Sequence, residues 1–442
     1  MAEGSEMSVC CKCFGNAGLQ YRIIELQADA TTGPCEAHPN EMGIPLSVAA
    51  GIIDAALREN FGSGISDERE EHLDGRDLDD LIHEIVQPAD DELARILKDH
   101  LIDNDSYWRP DGEEVFYSDE CTYFPTEIGT ANYGTRWAQF RDHLMHDQRF
   151  FSRSAFGYLR EIFEGVESRL DPEGKSPVYM IKPGDPASKF FRARGIRAIH
   201  DVKTFREDLA GELGPPPQRL RSAGRLNPAG VAVFYAAFDP ITCVGELRPS
   251  VGSLVAVAEF KIEKPICVLD TTRYTAQPNP PNIFQPGAIS EAAQWNFMRN
   301  FMQLISRPIK PGDEHIDYIP TQAVAEYLAF HHECLVDGNK RHIDAIIFKS
   351  AQNDGEGTNI AIIGPAAVTG IIGADGKPYP SKEAEKQAKV FGKWAIKEID
   401  VRITPIEGSF NVHQVKGAIF QRLNITQAIP SCFNIEIPSD WE

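Results

Sequence analysis

The sequence predicts an α+β protein in which a cysteine-rich segment and a helical half precede a half built of short strands. Three observations carry this prediction. Two Cys/His pairs lie before residue 45, and apolar residues then recur at helical spacing as far as residue 170. The chain after that changes to short runs rich in Val, Ile, Phe and Tyr, bounded by Gly, Pro and Asp. The turn-rich segment 171–177, "DPEGKSP", is the best domain boundary.

Composition and charge limit the compartment and the partners. The 442 residues are enough for roughly two to four domains. A net charge of -21 makes nucleic acid an unfavourable partner and argues against an anionic membrane surface. We see no secretory signal and no apolar run of the ~18 residues that a membrane-spanning helix needs. The nine cysteines are odd in number, with four before residue 36 and the others scattered, which is not a disulfide framework, so we expect a protein of the reducing cytoplasm.

The first predicted element, residues 1–45, is a zinc-binding segment. Cys10 and Cys13 form one closely spaced pair, and Cys35 and His38 form a second. Each pair can lie on a tight turn that directs two ligands at one ion, and two such pairs complete a tetrahedral zinc site. Cys11 is a competing ligand for the first pair. With four protein ligands the site would be structural.

Residues 46–170 are predicted to form a helical domain. We expect the last helix to begin at a Ser154 cap and to end before Pro172. The acidic stretch 67–80 is interpreted as a solvated face. The runs with helical spacing are 45–61, 77–86, 90–102, 136–151 and 154–170.

Residues 178–372 are predicted to form an α+β domain with helices at 290–308 and 320–333. The tail, 373–442, holds a helical run at 381–400 and weaker strand signals, and its role is open. The predicted strands are 178–183, 189–196, 231–238, 253–262, 265–272, 344–350 and 359–364.

One stretch, "GRLNPAGVAVFYAAFDPITCVGEL", carries polar residues that a scaffold would not need. It predicts a buried strand followed by a helix with Asp239 as the N-cap and Pro240 at the first helical position. Glu246 would lie about two turns into that helix, Tyr235 on the strand, and Arg225 in the loop before it. The three polar side chains could therefore meet at one strand-to-helix corner.

This stretch resembles the core motif of the RES domain family. The family's late serine resembles Ser350, at the end of "DAIIFKS", and its upstream arginine resembles Arg192 or Arg194 in "FFRARGI". The resemblance covers about residues 185–365. The residues that match the core motif are Arg225, Asn227, Gly230, Tyr235 and Glu246.

The resemblance implies an ADP-ribosyltransferase-like mixed α/β fold and a toxin-like activity that consumes NAD+ by phosphorolysis or hydrolysis, with phosphate as a possible co-substrate. Glu246 would stabilise the oxocarbenium ion that develops at the ribose. Tyr235 would stack on nicotinamide or donate its hydroxyl. Ser350 would bond the ribose or the nicotinamide amide. Phosphate groups would be held by Arg225 together with Arg192 or Arg194. Of Arg192 and Arg194, we expect one to face the site and the other to face solvent. Asn227 would also contact the nucleotide.

The helical half resembles, more loosely, the zinc-bearing HEPN-like domain that precedes some RES domains. That resemblance raises a second hypothesis, a HEPN-type RNase, in which His146 or His83 would act as the acid–base and Arg141 or Arg76, respectively, would contact a phosphate. The sequence also leaves open an ADP-ribosyltransferase acting on a macromolecule and an inactive binding module. The resemblance further implies control by an antitoxin or by a trigger such as phage infection, in anti-phage defence. We expect residues 1–170 to provide autoinhibition or sensing; homo-oligomerisation stays open.

The segment "HHECLVDGNKRH" contains four residues that can bind metals, His331, His332, Cys334 and His342. Their spacing lacks the pairs typical of a zinc site, and the segment follows a predicted helix. The sequence therefore favours a solvated loop near the mouth of the pocket over a metal site.

Overall fold

The computed structural model describes residues 6–28, 32–65, 75–105, 115–126, 129–275, 282–306, 314–350, 356–382, 384–386 and 399–417. Within these ranges, no helix is both long enough and apolar enough to cross a membrane. The chain divides by its contacts into two compact units. The first comprises Met1–Tyr179 and Cys267–Ile343, and the second comprises Met180–Ile266 and Asp344–Glu442. The domain limits predicted from the sequence follow chain order, whereas these units interleave.

The described residues contain helices that lie within the predicted runs, such as Leu46–Asn60 and Ile319–Phe330, and others that the sequence did not predict, such as Ala17–Leu26. They are α1 (Ala17–Leu26), α2 (Leu46–Asn60), α3 (Leu78–Leu81), α4 (Asp91–Asp105), α5 (Ala131–Asp142), α6 (Arg153–Phe163), α7 (Val202–Glu207), α8 (Leu209–Glu212), α9 (Pro240–Gly245), α10 (Ala288–Ser306), α11 (Glu314–Asp317) and α12 (Ile319–Phe330).

The strands fall mainly in the later half. They are β1 (Ser8–Val9), β2 (Gly33–Pro34), β3 (Met42–Pro45), β4 (Phe61–Ile65), β5 (Cys121–Pro125), β6 (Val178–Ile181), β7 (Lys189–Ile196), β8 (Phe234–Ala237), β9 (Leu254–Ile262), β10 (Ile266–Asp270), β11 (Cys334–Val336), β12 (Asn339–Arg341), β13 (Ala345–Lys349), β14 (Thr358–Ile362), β15 (Gly370–Ile372), β16 (Pro378–Pro380), β17 (Ile403–Pro405) and β18 (Asn411–Gln414).

The first unit buries the cysteine-rich segment in the same hydrophobic core as α2, α3 and α4. Phe284, far along the chain, belongs to this core as well. Polar contacts join the same distant segments: Asn282 donates to Asn16 at 2.7 Å, and Arg169 donates to Gln294 at 2.7 Å. Residues 267–343 are therefore part of the packing of the N-terminal half.

Two details of the helical half differ from the sequence prediction. The N-cap of α6 is Ser152, whose hydroxyl accepts from the amide of Ala155 at 3.1 Å, so the predicted Ser154 cap is wrong by two residues. The strands β4 and β5 pair antiparallel inside a region predicted to be helical. The acidic stretch 67–80 and the predicted tail helix 381–400 lie partly outside the described residues.

The second unit contains a sheet whose strands run in the order β17-β9-β7-β8-β14-β13, with β18 also paired to β9. The strand β7 pairs along its whole length with β9. It shares only one register pair with β8, Phe191 opposite Ala237, so β7 and β8 separate beyond that point. The tail, whose role the sequence left open, supplies the strands β17 and β18 to this sheet.

Candidate active site

The strand-to-helix corner forms as the sequence predicts. Asp239 follows β8 in an extended conformation and accepts from the amide of Thr242 at 2.8 Å, which caps the N-terminus of α9. Pro240 occupies the first turn, where no amide hydrogen is needed. The helix has six residues, so Glu246 lies at its C-cap, one position beyond the helix. This short helix brings the carboxylate of Glu246 back over the sheet.

The carboxylate of Glu246 is held by two side chains of the β13–β14 hairpin. The hydroxyl of Ser350 donates to Oε1 at 2.6 Å, and the amide of Asn359 donates to the same oxygen at 2.7 Å. Both donors are buried, with 1% and 5% of their surface exposed, whereas Glu246 itself is exposed. Among the described residues, Oε2 of Glu246 accepts no hydrogen bond, so this oxygen can meet a ligand.

Arg225 lies at the tip of a tight turn between Gly224 and Asn227. The amide of Gly224 donates to the carbonyl of Asn227 at 2.9 Å. The hydroxyl of Tyr235 fastens the turn to β8, because it donates to Oδ1 of Asn227 at 2.9 Å and accepts from the amide of Leu226 at 3.0 Å. Arg225 itself is half-buried.

Asn227 is almost fully buried, and its side-chain contacts are internal to the loop. Its amide nitrogen lies 3.0 Å from the carbonyl oxygens of Ser222 and Pro228 and 3.2 Å from that of Val231. Gly224 is required by the close packing here, since a Cβ at this position would lie 2.6 Å from Oδ1 of Asn227. The motif "GRLN" is thus a fastened turn that presents an arginine.

The strand register places Tyr235, which holds the turn of Arg225, on the same face of the sheet as Asn359, which holds Glu246. Tyr235 lies opposite Ala361, and Ala237 lies opposite Asn359, in the pairing of β8 with β14. Directly opposed residues of antiparallel strands share a face, as do alternate residues of one strand. Tyr235 and Asn359 are therefore diagonal neighbours on one face, within roughly 8 Å of each other.

Arg192 and Arg194 lie together on the opposite face. Phe191 shares a face with Ala237 and hence with Tyr235, so the alternating Arg192 and Arg194 point to the other side. Both donate to one loop, Arg192 to the carbonyl of Leu213 and Arg194 to that of Gly214, each at 3.2 Å. The expectation that one of them faces solvent is wrong, because a period of two puts both on the same side.

Where β7 and β8 separate, the side chain of Arg192 forms the hydrogen bond to β8 that the backbone of β7 no longer makes. Its Nη1 donates to the carbonyl of Tyr235, and its guanidinium lies 5.2 Å from the ring centre of Phe234. Burial, with a smaller effect from the neighbouring Arg194, lowers the pKa of Arg192 to about 10. Burial also lowers the pKa of Arg194, opposed by Glu212. Arg192 therefore stays protonated at neutral pH.

The four predicted zinc ligands come together in the first unit. One donor atom each of Cys10, Cys13, Cys35 and His38 lies within 4.8 Å of the others. The sulfur–sulfur distances are 3.9 and 3.4 Å, against roughly 3.8 Å for thiolates about 2.3 Å from a tetrahedral zinc ion. This cluster uses Cys10 and not Cys11. A Cys3His set is therefore compatible with structural zinc, which would staple the turn before α1 to the β2–β3 segment.

The arginine–histidine pairs of the RNase hypothesis find little support. Nε of Arg76 forms an ion pair with Glu84 at 2.7 Å, so a carboxylate occupies the group that should meet a phosphate. Arg141 and His146 are both exposed, and His146 lies in a π-helical turn after α5. In the part of the chain that the structure describes, no hydrogen bond joins the arginine and the histidine of either pair.

Asn359, which bonds Glu246 directly, is a site residue that was not predicted from the sequence. The signal was present, because Asn359 is a polar residue at the start of an otherwise apolar run, "NIAIIG". A buried amide in such a strand needs a hydrogen-bond partner, and here the partner is the predicted functional carboxylate.

Comparison with known proteins identifies one family match within the chain. Residues 193–381 match the family model of the RES domain, which supports the domain predicted from the motifs. The matched range contains Arg225, Tyr235, Glu246 and Ser350, and it crosses both compact units. RES domains are associated, as a family, with NAD+-related toxins. No curated protein was found to match the chain.

Proposed function

We propose that this protein consumes NAD+ by cleaving the bond between nicotinamide and ribose. The observation that carries the proposal is the carboxylate of Glu246, which Ser350 and Asn359 fix through Oε1, while Oε2 accepts no hydrogen bond from the residues that the structure describes. Cleavage of a glycosidic bond develops positive charge at the anomeric carbon, and a fixed carboxylate stabilises that charge without reorganising. The RES match adds NAD+ as the substrate class.

In the proposed step, the bond between the ribose C1 and the nicotinamide nitrogen breaks, and its electron pair leaves with neutral nicotinamide. The oxocarbenium ion is captured either by water, which loses a proton and gives ADP-ribose, or by phosphate, which gives ADP-ribose 1″-phosphate. Arg225 supplies the cation for the pyrophosphate or the attacking phosphate. We assign Ser350 and Asn359 as positioning residues for Glu246.

The contacts of Tyr235 and Asn227 refine their proposed roles. The hydroxyl of Tyr235 is engaged with the turn, so we assign the aromatic ring and not the hydroxyl to the contact with nicotinamide. Asn227 acts as a positioning residue for Arg225, because its amide contacts carbonyl oxygens of its own loop. On the opposite face, Arg192 contacts β8 and the loop at Leu213, and Arg194 contacts the same loop at Gly214, so neither is assigned to the nucleotide.

The test is an NAD+ turnover assay on the full chain, with and without phosphate, in which mass spectrometry identifies the products. We expect NAD+ loss that requires Arg225 and Glu246. Arg206→Ala and Glu207→Gln, two exposed positions on α7, are matched controls and should keep wild-type turnover. If NAD+ is lost but neither free ADP-ribose nor ADP-ribose 1″-phosphate forms, and ADP-ribose is instead found attached to an added protein or nucleic acid, the activity is transfer to a macromolecule. Equal turnover in Glu246→Gln and wild type would contradict the proposal.

A further inference from the structure

A second group of metal-binding side chains lies in the first unit, apart in sequence from the Cys10 cluster. One donor atom each of Glu167, His332 and Cys334 lies within 4.8 Å of the others. Glu167 belongs to the 3-10 turn Val166–Ser168, His332 follows α12, and Cys334 begins β11. None of the three takes part in the proposed reaction at Glu246.

The donor atoms of this group are buried and incompletely satisfied. His332 and Cys334 have 6% and 0% of their surface exposed. Among the described residues, Nε2 of His332 and Oε2 of Glu167 are buried without a hydrogen-bond partner. Such atoms are uncommon in folded proteins, and a bound ion is one ordinary explanation for them.

The backbone around the group holds the ligands in place. The amide of Leu335 donates to Oε1 of Glu167 at 3.4 Å, so one carboxylate oxygen is bonded to β11. The other oxygen, Oε2, has no hydrogen-bond partner among the described residues. Nδ1 of His342 lies 2.8 Å from the carbonyl oxygen of His332, which fixes the segment between α12 and β11. The ligands therefore come from the turn Val166–Ser168 and from the segment that leads from α12 into β11, which already contact each other.

We propose that Glu167, His332 and Cys334 bind a zinc ion, with a water molecule in the fourth position. A thiolate, an imidazole and a carboxylate are all zinc ligands, and the thiolate disfavours magnesium and calcium, which prefer oxygen. The two negative ligands would neutralise the charge of the ion, which lets the site be buried without an unpaired charge. The expectation of a solvated loop at 331–342 is wrong for His332 and Cys334, since both are buried.

The experiment measures zinc per chain in the full-length protein after equilibration with excess Zn²⁺ and dialysis into metal-free buffer. We expect two zinc ions in the wild type, and one in Glu167→Gln and in Cys334→Ser. Cys267→Ser is the matched control, because Cys267 is a fully buried thiol of the same unit outside the cluster. It should keep two ions. Competition with a chelator should show at least a roughly 10-fold weaker second site in Glu167→Gln.

The proposal is overturned if Glu167→Gln and Cys334→Ser retain the same zinc content as Cys267→Ser, which would indicate a hydrogen-bond network completed by buried water. If these variants do not fold, Co²⁺ titration of the wild type decides. Two binding steps, one with the charge-transfer absorption of three thiolates and one with that of a single thiolate, support the proposal. A single three-thiolate step contradicts it. The wild type could also hold a single zinc ion that is lost in Glu167→Gln and kept in Cys13→Ser. That result would support zinc at Glu167, His332 and Cys334 and contradict zinc at the N-terminal cluster.

Discussion

Ser350 and Asn359 donate to the same oxygen of Glu246, and their effect on activity can be separated from any effect on binding. Ser350→Ala or Asn359→Ala removes one of two bonds that fix the carboxylate. We expect each to lower the kcat of NAD+ cleavage by roughly 10-fold, the equivalent of about one hydrogen bond, with little change in KM. Steady-state kinetics of the single and double variants measures this.

The double variant should lose less than the product of the two single effects, because both residues act through one carboxylate. Asn339→Ala, on the exposed β11–β12 hairpin, is the control for a surface amide and should behave as the wild type. A change confined to KM would mean that Ser350 and Asn359 contact the substrate and do not position Glu246.

The turn that presents Arg225 depends on a glycine that has no room for a side chain. A Cβ on Gly224 would lie 2.6 Å from Oδ1 of Asn227 and 2.9 Å from the hydroxyl of Tyr235. We expect Gly224→Ala to open the turn, to lower NAD+ turnover at least roughly 10-fold, and to cost about 1–3 kcal/mol in the free energy of unfolding. Urea denaturation and the turnover assay measure the two effects.

Gly195→Ala is the matched control, because a Cβ there meets no atom within 4 Å. It should leave turnover unchanged. Wild-type activity in Gly224→Ala would show that the turn is not needed to place Arg225.

At the scale of elements, local sequence patterns predict the positions of strands and helix caps well, but they do not predict which strands pair with each other. "KFFRARGI" predicts β7 with its observed ends, and Asp239 with Pro240 predicts the start of α9, because strand composition and caps are local properties. The β4–β5 pair is formed between distant segments, so neither strand shows in its own sequence. The separation of β7 from β8, and the contact of Asn359 with Glu246, likewise depend on which strands are neighbours.

Zinc binding by the cluster of Cys10, Cys13, Cys35 and His38 is a proposal that two nearby cysteines can test. Cys13→Ser removes a ligand, whereas Cys11→Ser changes a half-buried thiol outside the cluster. A structural zinc ion contributes folding free energy, so we expect Cys13→Ser to lose one zinc ion per chain and to lower the Tm by at least roughly 5 °C. Cys11→Ser should keep both. Equal zinc content and equal Tm in the two variants would contradict the assignment.

At the scale of the whole molecule, the compact units interleave along the chain. Residues 267–343 pack in the first unit with the N-terminal half, although they lie within the RES match. The sequence could not predict this arrangement, because hydrophobic periodicity and turn residues indicate only the order of segments along the chain and not which segments pack together. A fragment beginning at residue 171 would therefore leave Phe284 and Gln294 without their core and hydrogen-bond partners.

We expect the fragment 171–442 to be insoluble or to unfold well below the Tm of the full chain, which makes it unsuitable as a test of autoinhibition by residues 1–170. A protease site placed in the turn 171–177 is the control, since both pieces are then present during folding. The nicked chain should stay associated in gel filtration and keep its Tm. A soluble fragment 171–442 with an unchanged Tm would contradict this account of the first unit.

The most direct test of the central claim compares binding and cleavage in Glu246→Gln. The glutamine keeps the shape of the side chain and an oxygen for Ser350 and Asn359, but it lacks the charge that would stabilise the oxocarbenium ion. We predict NAD+ affinity within several-fold of the wild type and a single-turnover cleavage rate at saturation reduced at least roughly 10²-fold. An unchanged cleavage rate at saturation, with any change confined to affinity, would contradict the claim that Glu246 acts on the reacting ribose.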